Sequence, residues 1–462
     1  ITASTVCAPA RASMLTGRHV CDHDAWTNNM PCREGLEYYP QRMRAAGYDT
    51  AAFGVLDHFP HDDMCGFRHC RLMEGGLQGD KEEYLAFLRQ RHPEVTRIFN
   101  GSNFEFAFAE DEFYDYWTAS RAIEYIEERA ACPQEPFLAY VGFLSPHTPL
   151  IPPREVHGTV DTERLPRPLQ RQEGMSPVTT YRGVLVTPKK TAAAQMRERT
   201  AYAELIVEVD RQVGRIVDAL KAAGLYESTT ILLTADHGDM LEDFGLTTKG
   251  PYPYRSSLFI PMILSNHPGL RRGARSDSLV GNIDIGATVL DIAGDQRAFG
   301  YSRSLVDAAQ PVPEHPREVN YSEFSDAMKL AMDKRYTYAY FPFTGYADLY
   351  DRQADPDELH NLAGDPAHAA VEMAFLKHII EFLTLARNVR IEAHDMIPPL
   401  RAGLERKAPR FLDDFVIAYP ISSNTERQRL REAGLSDDYN EFCRERTVSA
   451  HYGVYWESRP PA

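Results

Sequence analysis

The segment STVCAPARASMLTG, Ser4–Gly17, sets Cys7, Pro9 and Arg11 two residues apart at the start of a run of small residues. A buried cysteine before a helix is ordinarily a small hydrophobe, and that reading leaves the order Cys-Pro-Arg unexplained. Three other segments carry groups capable of chemistry. TADHGD puts Asp236 and His237 directly after the apolar run ILLT. An adjacent carboxylate and imidazole at a strand end can both ligate a divalent cation; the pair also fits a helix cap with an incidental histidine. FLSPHTPLIPP holds His147 between Pro146 and Pro149, and proline fixes chain direction by presetting φ. A structural histidine is the alternative there. Lys249, in GLTTKGPYPY, fits an anion site or a solvated surface.

These segments need strands to carry them. Strands alternate with helices along most of the chain, which predicts an α/β sheet with helices on both faces. YDTAAFGVL (Tyr48–Leu56) reads as a strand after the helix LEYYPQRMRAAG. EPFLAYVGFLS (Glu135–Ser145) reads as a buried strand after the helix around YDYWTASRAIEYIEERA. A long helix is predicted over Ala192–Ala223, with Tyr202, Leu205, Ile206, Val209, Val213, Ile216, Val217 and Leu220 at helical spacing and Gly224 as its stop. It feeds the strand before Asp236; SLFIPMILS and the helix IDIGATVLDIAG follow. In such sheets ligands gather at the carboxyl ends of the strands. Beyond about residue 310 the texture changes to antiparallel strands and turns, RYTYAYFPF and ADLYDRQADPDELHNLAGDP, and then the helix VEMAFLKHIIEFLTLARN. Three units are expected: 1–310, 311–394 and an extension, 395–462, that could pack on its own chain or join two copies.

The 462 residues carry a net charge of −16, which argues against nucleic acid as a partner. No uninterrupted apolar run reaches the roughly 18 residues that span a bilayer, so no membrane partner is expected. Seven cysteines leave at least one thiol unpaired, and none forms a CxxC pair, so the spacings point away from a structural zinc site. The first residues do not look like a signal peptide, and the sequons at Asn100 and Asn320 are too short to establish a compartment.

Cys7-Ala8-Pro9-Ala10-Arg11 followed by Leu15-Thr16-Gly17 resembles the C-x-P-x-R signature of the type I sulfatases. TADHGDMLEDFGLTTKGPYPYRSSLFIPMIL resembles that family's second metal segment with its lysine, PHTPLIPP its substrate histidine, and DLYDRQADPDELHNLAGDP its C-terminal stretch. The resemblance implies an alkaline-phosphatase-like fold: a mixed central sheet flanked by helices, with a smaller C-terminal α+β subdomain. It implies that a separate formylglycine-generating enzyme oxidises Cys7 to an aldehyde whose hydrate attacks a sulfate ester. A divalent cation, calcium before manganese, would be held by Asp236, His237 and residue 7. Arg11 would steady the nucleophile, and His147 and Lys249 would bind the anion and support the leaving oxygen. The substrate would be a sulfated carbohydrate or a small aryl or alkyl sulfate.

Three departures from the family pattern stand out. The family carries an Asp-Asp pair on an opening strand ahead of the cysteine; six residues precede Cys7, without such a pair, and a fragment is the expected reason. GK-x-H reads Gly54-Val55-Leu56-Asp57-His58 here: Val55 replaces the lysine, and His58 is expected to serve as the histidine after a one-residue shift. Phe244 and Arg255 stand where His and Glu are common and are expected to tune substrate choice. Val55 keeps open a phosphonate monoester or phosphodiester hydrolase of the same fold, and the absent Asp pair keeps open an inactive binding protein. Trp26, Tyr252 and Tyr254 fit stacking on a sugar or aryl ring, or plain packing.

Overall fold

In the computed structural model, which describes residues 1–28, 30–61, 63–132, 134–170, 190–342 and 344–388, the run DTAAFG forms a fully buried strand β1 (Asp49–Gly54). Small side chains let helices approach both of its faces. β2 (His69–Leu72) and β5 (Phe137–Gly142) flank it in parallel, in the order β2-β1-β5. Between them in the chain lies a short hairpin, β3 (Gly101–Ser102) and β4 (Glu105–Phe106). β6 (Ile231–Thr234) and β7 (Met262–Ser265) pair antiparallel as a separate two-stranded piece. β5 and β6 are half-buried along nearly their whole length, unlike β1, which has a neighbour on each side.

The helices that position the chemistry are α1 (Cys7–Thr16), α2 (Tyr39–Ala45), α3 (Tyr114–Ala130), α4 (Ala192–Ala222), α5 (Arg255–Leu258) and α6 (Ile285–Ile292). Tyr114 and Trp117 of α3 join Val55, Tyr84, Phe113 and Leu205 in one apolar core. Met14 and Leu15 of α1 join Met43, Ala52, Leu56, Phe67 and Phe299 in another. The long helix forms where its periodicity predicts, but its buried stripe is rotated. Ala201, Glu204, Leu205, Glu208 and Gln212 face inward, and Ile206 is 48% exposed. Glu204 accepts from Gly158 N–H at 2.9 Å, and Gln212 donates to Glu208 Oε1 at 2.6 Å, while Glu208 Oε2 is buried without a partner.

The C-terminal sheet is antiparallel, β8 (Asn320–Phe324), β9 (Met328–Met332), β10 (Tyr336–Phe341) and β11 (Tyr346–Asp351) in sequential order. Helix α7 (Ala369–Asn388) covers it. The change of texture near residue 310 thus precedes the first of these strands. The sheet is fastened to the rest: Ser4 bridges Glu323, and Leu258 of α5 packs with Phe324, Met328 and Phe341. The extension 395–462, with its expected role between copies, lies outside the described residues. Among those residues no helix is long and apolar enough to cross a membrane.

Glu358, in the DPDELHNL turn, ties this sheet to the catalytic half by accepting the Arg255 N–H at 2.6 Å. It is 1% exposed, and burial pushes its carboxyl up to about 7 despite Arg352 and Arg255 nearby. The folded state therefore holds this proton more tightly than the unfolded chain, whose glutamates ionise near 4.3. The stabilisation is complete below that value and is lost as pH rises through about 7. Glu358→Gln, neutral throughout, should remove roughly 1–3 kcal/mol of the decline in unfolding free energy between about pH 5 and pH 8, read from denaturant titrations of the two proteins.

Candidate active site

α1 begins with Cys7 itself, so its sulfur sits at the positive end of a helix, where unpaired N–H groups favour negative charge. The helix is nearly all buried, which its small residues permit. Gly17 closes it at φ 64°, and a Cβ there would stand 2.6 Å from Phe299, so the glycine of the LTG run is required by conformation and by space. Cys7 Sγ lies 3.1 Å from His237 Nε2. His237 Nδ1 meets the Gly238 carbonyl at 2.8 Å; with the proton there, the Nε2 lone pair faces residue 7.

Arg11, one turn along the helix, connects three strands. Its Nε donates to Asp236 Oδ2 at 2.9 Å, just past β6. Its Nη1 donates to the Val55 carbonyl at 2.7 Å, just past β1, and to the Tyr140 hydroxyl on β5 at 2.9 Å. The backbone of Asp236 is fixed separately, its carbonyl accepting from Asn282 Nδ2 at 2.8 Å and from Thr2. Thr5 donates to the Gly250 carbonyl at 2.7 Å, which draws the Lys249 loop against the start of α1. Lys249 Nζ meets His147 Nε2 at 2.6 Å, and His147 Nδ1 meets its neighbour's carbonyl, Thr148 O, at 2.6 Å.

The electrostatics follow from this crowding. Burial alone would raise the Cys7 thiol, but His237, a hydrogen bond with His147, and Lys249 hold it well below its usual value. Burial likewise opposes the ionised Asp236, yet His237, Arg11 and Lys249 hold its carboxyl below the usual range. Burial would lower His237, and Asp236 and Cys7 reverse this, raising it to about 9.

Cys7, Arg11, Asp236, His237, His147 and Lys249, drawn from four distant segments, thus meet in one place. His58 does not join them. Its Nε2 lies 3.1 Å from the Tyr38 hydroxyl and its Nδ1 4.0 Å from Asp63. The residue that faces the cluster is Asp57. Burial raises its carboxyl to about 6, and it feels the charges of Cys7, Arg11, Asp236 and Lys249. The cause is local: Asp57 has φ 47°, and Glu74 accepts both the Leu56 and Asp57 N–H groups at 2.9 Å, turning the chain after β1. Counting from Gly54 without a shift would have found it, since Asp57 is the fourth residue of the stretch compared with GK-x-H. Tyr140 carries no signal of its own in the sequence.

Val55 offers the site its carbonyl, while its side chain is 5% exposed in the apolar core. The aromatic candidates pack inside: Tyr252 and Tyr254 are fully buried, and Trp26 lies under Lys329, whose Nζ is 4.7 Å from the ring centre. Phe244 is buried against Tyr254 with ring centres 4.4 Å apart, and Arg255 lies over Phe259. Phe244 is therefore seated for packing, whereas Arg255 is exposed.

One ligand atom each from Cys7, Asp236 and His237 lies within 4.8 Å of the others. A carboxylate, a properly oriented imidazole and the side chain of residue 7 fit part of a divalent-cation sphere. The fork at Arg11 is testable. Arg11→Lys keeps the charge but cannot reach three acceptors, and kcat should fall about 100-fold, the equivalent of roughly 3 kcal/mol, with the far-ultraviolet circular dichroism unchanged.

A sulfatase family model matches residues 1–295, and one described as N-sulphoglucosamine sulphohydrolase, C-terminal, matches residues 247–384. The chain is 26% identical over 437 residues to the multifunctional alkaline phosphatase superfamily protein PehA of Trinickia caryophylli, covering 80% of this chain and 84% of that one. It is 26% identical over 396 residues to an arylsulfatase of Clostridium perfringens, covering 78% and 81%. In fold it is similar to the phosphonate monoester hydrolase of Agrobacterium radiobacter, with a TM-score of 0.72 at 24% identity over 83% of this chain and 87% of that one. The first match spans well over half of the chain and includes Cys7, Arg11, His147, Asp236, His237 and Lys249: this protein belongs to the sulfatase family, enzymes that hydrolyse sulfuric esters, on an alkaline-phosphatase-like fold.

Proposed function

We propose that this protein hydrolyses the sulfate ester of a sulfated carbohydrate or a small aryl or alkyl sulfate, using a nucleophile derived from Cys7 by a formylglycine-generating enzyme. The observation that carries the reading is the 3.1 Å approach of Cys7 Sγ to His237 Nε2 beside the Arg11–Asp236 pair. Asp236, His237 and residue 7 would hold a divalent cation, calcium before manganese, which would supply Lewis-acid polarisation of the ester, while a formylglycine would supply a hydrated-aldehyde hydroxyl.

The chain's own residues have separate tasks. Arg11 fixes Asp236 and shields it from the negative charge of an arriving sulfate. Lys249 holds sulfate oxygens by charge-assisted hydrogen bonds. His147, whose Nε2 accepts from Lys249 and which is more exposed, is placed with that lysine to bind the anion and support charge on the departing oxygen. Asp57 is the unusual member, an acid facing an anion site. Glu74 holds its backbone in place, so the chain cannot simply turn it away.

Val55 in place of the family's lysine keeps a second reading, a phosphonate monoester or phosphodiester hydrolase, whose substrate also bears one negative charge at the attacked centre, so that charge does not separate the two. The fold-level similarity to a phosphonate monoester hydrolase is compatible with it. Peptide mass analysis after co-expression with a formylglycine-generating enzyme should show the aldehyde at residue 7, and Cys7→Ala should abolish turnover while the protein stays folded. Compared by kcat/KM, an aryl sulfate should exceed an aryl phosphonate monoester and an aryl phosphodiester. A tenfold preference for either phosphorus ester, about 1.4 kcal/mol, would establish the second reading. Asp57→His should move the ratio further toward the sulfate.

A further inference from the structure

The turn beyond Asp57 contains a second group of ligand-type side chains. One ligand atom each of His58, Asp63 and Cys65 lies within 4.8 Å of the others. His58 and Cys65 are buried, at 4% and 0% exposure. The Cys65 N–H donates to Asp63 Oδ1 at 2.9 Å, which leaves Oδ2 as the oxygen facing His58. Cys32, half-buried, lies near enough to feel the charge of Asp63 and to be felt by Cys65.

The state of His58 is the telling point. Its Nε2 pairs with the Tyr38 hydroxyl at 3.1 Å. In the tautomer with Nε2–H donating to the Tyr38 oxygen, Nδ1 is a bare acceptor. It is buried without a hydrogen-bond partner, and the nearest charged atom is Asp63 Oδ2 at 4.0 Å. Two acceptors face each other across a gap too long for a hydrogen bond. A buried polar atom left in this way is costly, and a cation between the two would satisfy both.

We infer that His58, Asp63 and Cys65 form a zinc site separate from the catalytic cluster, its fourth position taken by water. Imidazole, carboxylate and thiolate are donors that zinc favours, and calcium, which takes oxygen, would be rejected. The tyrosine bond at Nε2 is the outer contact that orients a metal-bound histidine. Binding replaces the thiol proton of Cys65, which passes to solvent, by a sulfur–zinc bond. The ion would pin the loop whose first residue past Leu56 is Asp57. The ligands stand at residues 58, 63 and 65, so no CxxC spacing announces them.

The test uses Co2+ as a spectroscopic probe in the Cys7→Ala protein, kept reduced, so that the catalytic cluster has no sulfur. A thiolate-to-cobalt charge-transfer band should appear, saturate at about one equivalent and vanish when Zn2+ is added. Cys65→Ser in the same background should lose the band. His58→Gln should weaken cobalt binding at least tenfold with its circular dichroism retained. Absence of the band in folded Cys7→Ala protein, a band that survives Cys65→Ser, or a Cys32–Cys65 disulfide in protein isolated without reductant would overturn the inference.

Discussion

The ion pair between Arg11 and Asp236, 2.9 Å long and mostly withdrawn from water, is the contact on which the rest of the site depends. Neither charge would be tolerated there alone, since an unpaired buried ion costs several kcal/mol. Together they hold the carboxyl end of β6 against the first helix. The other arm of the same guanidinium reaches Val55 and Tyr140, so this side chain joins the parallel sheet to the antiparallel pair, which share no strand-to-strand hydrogen bonds among the described residues. Lysine could neutralise Asp236 but could not reach in three directions.

This arrangement also reconciles an acidic protein with an anionic substrate. The net charge of −16 describes the outer surface, which a small ion meets only on approach. Inside the cleft, Arg11 and Lys249 stand beside Asp236, and Asp57 adds a further negative charge only when it is ionised. Charge at this scale is set by a few fixed groups in a low-dielectric recess, where screening is weak.

What could be read in advance was what is local in the chain. The Cys-Pro-Arg spacing, the acid and histidine at the end of an apolar strand, and the proline-flanked His147 are each a few residues long. The chemistry of each follows from that short context. What could not be read depends on how segments meet. His58 and Asp57 differ by one position, and the choice between them rests on a left-handed backbone at Asp57 and on Glu74, seventeen residues further on. The aromatic residues were ambiguous for the same reason: Tyr252 and Tyr254 have the composition of a sugar platform and the burial of a core. Ile206 shows the converse. Its spacing matches an inward face, but the helix is rotated to bury Glu204 and Glu208.

Burial of Cys7 sets an order of events in time. The side chain is 7% exposed, at the first position of a helix whose other residues are almost all enclosed, and its sulfur is already within reach of His237 and Lys249. On the proposed maturation of Cys7, an enzyme that took the Cys-Pro-Arg stretch in an extended form would have to act before α1 docks. Conversion and folding of this segment would then compete on a newly made chain, and a chain that folded first would keep a thiol sealed in its centre. In this protein the rate at which ten residues become helical would then govern how many molecules mature.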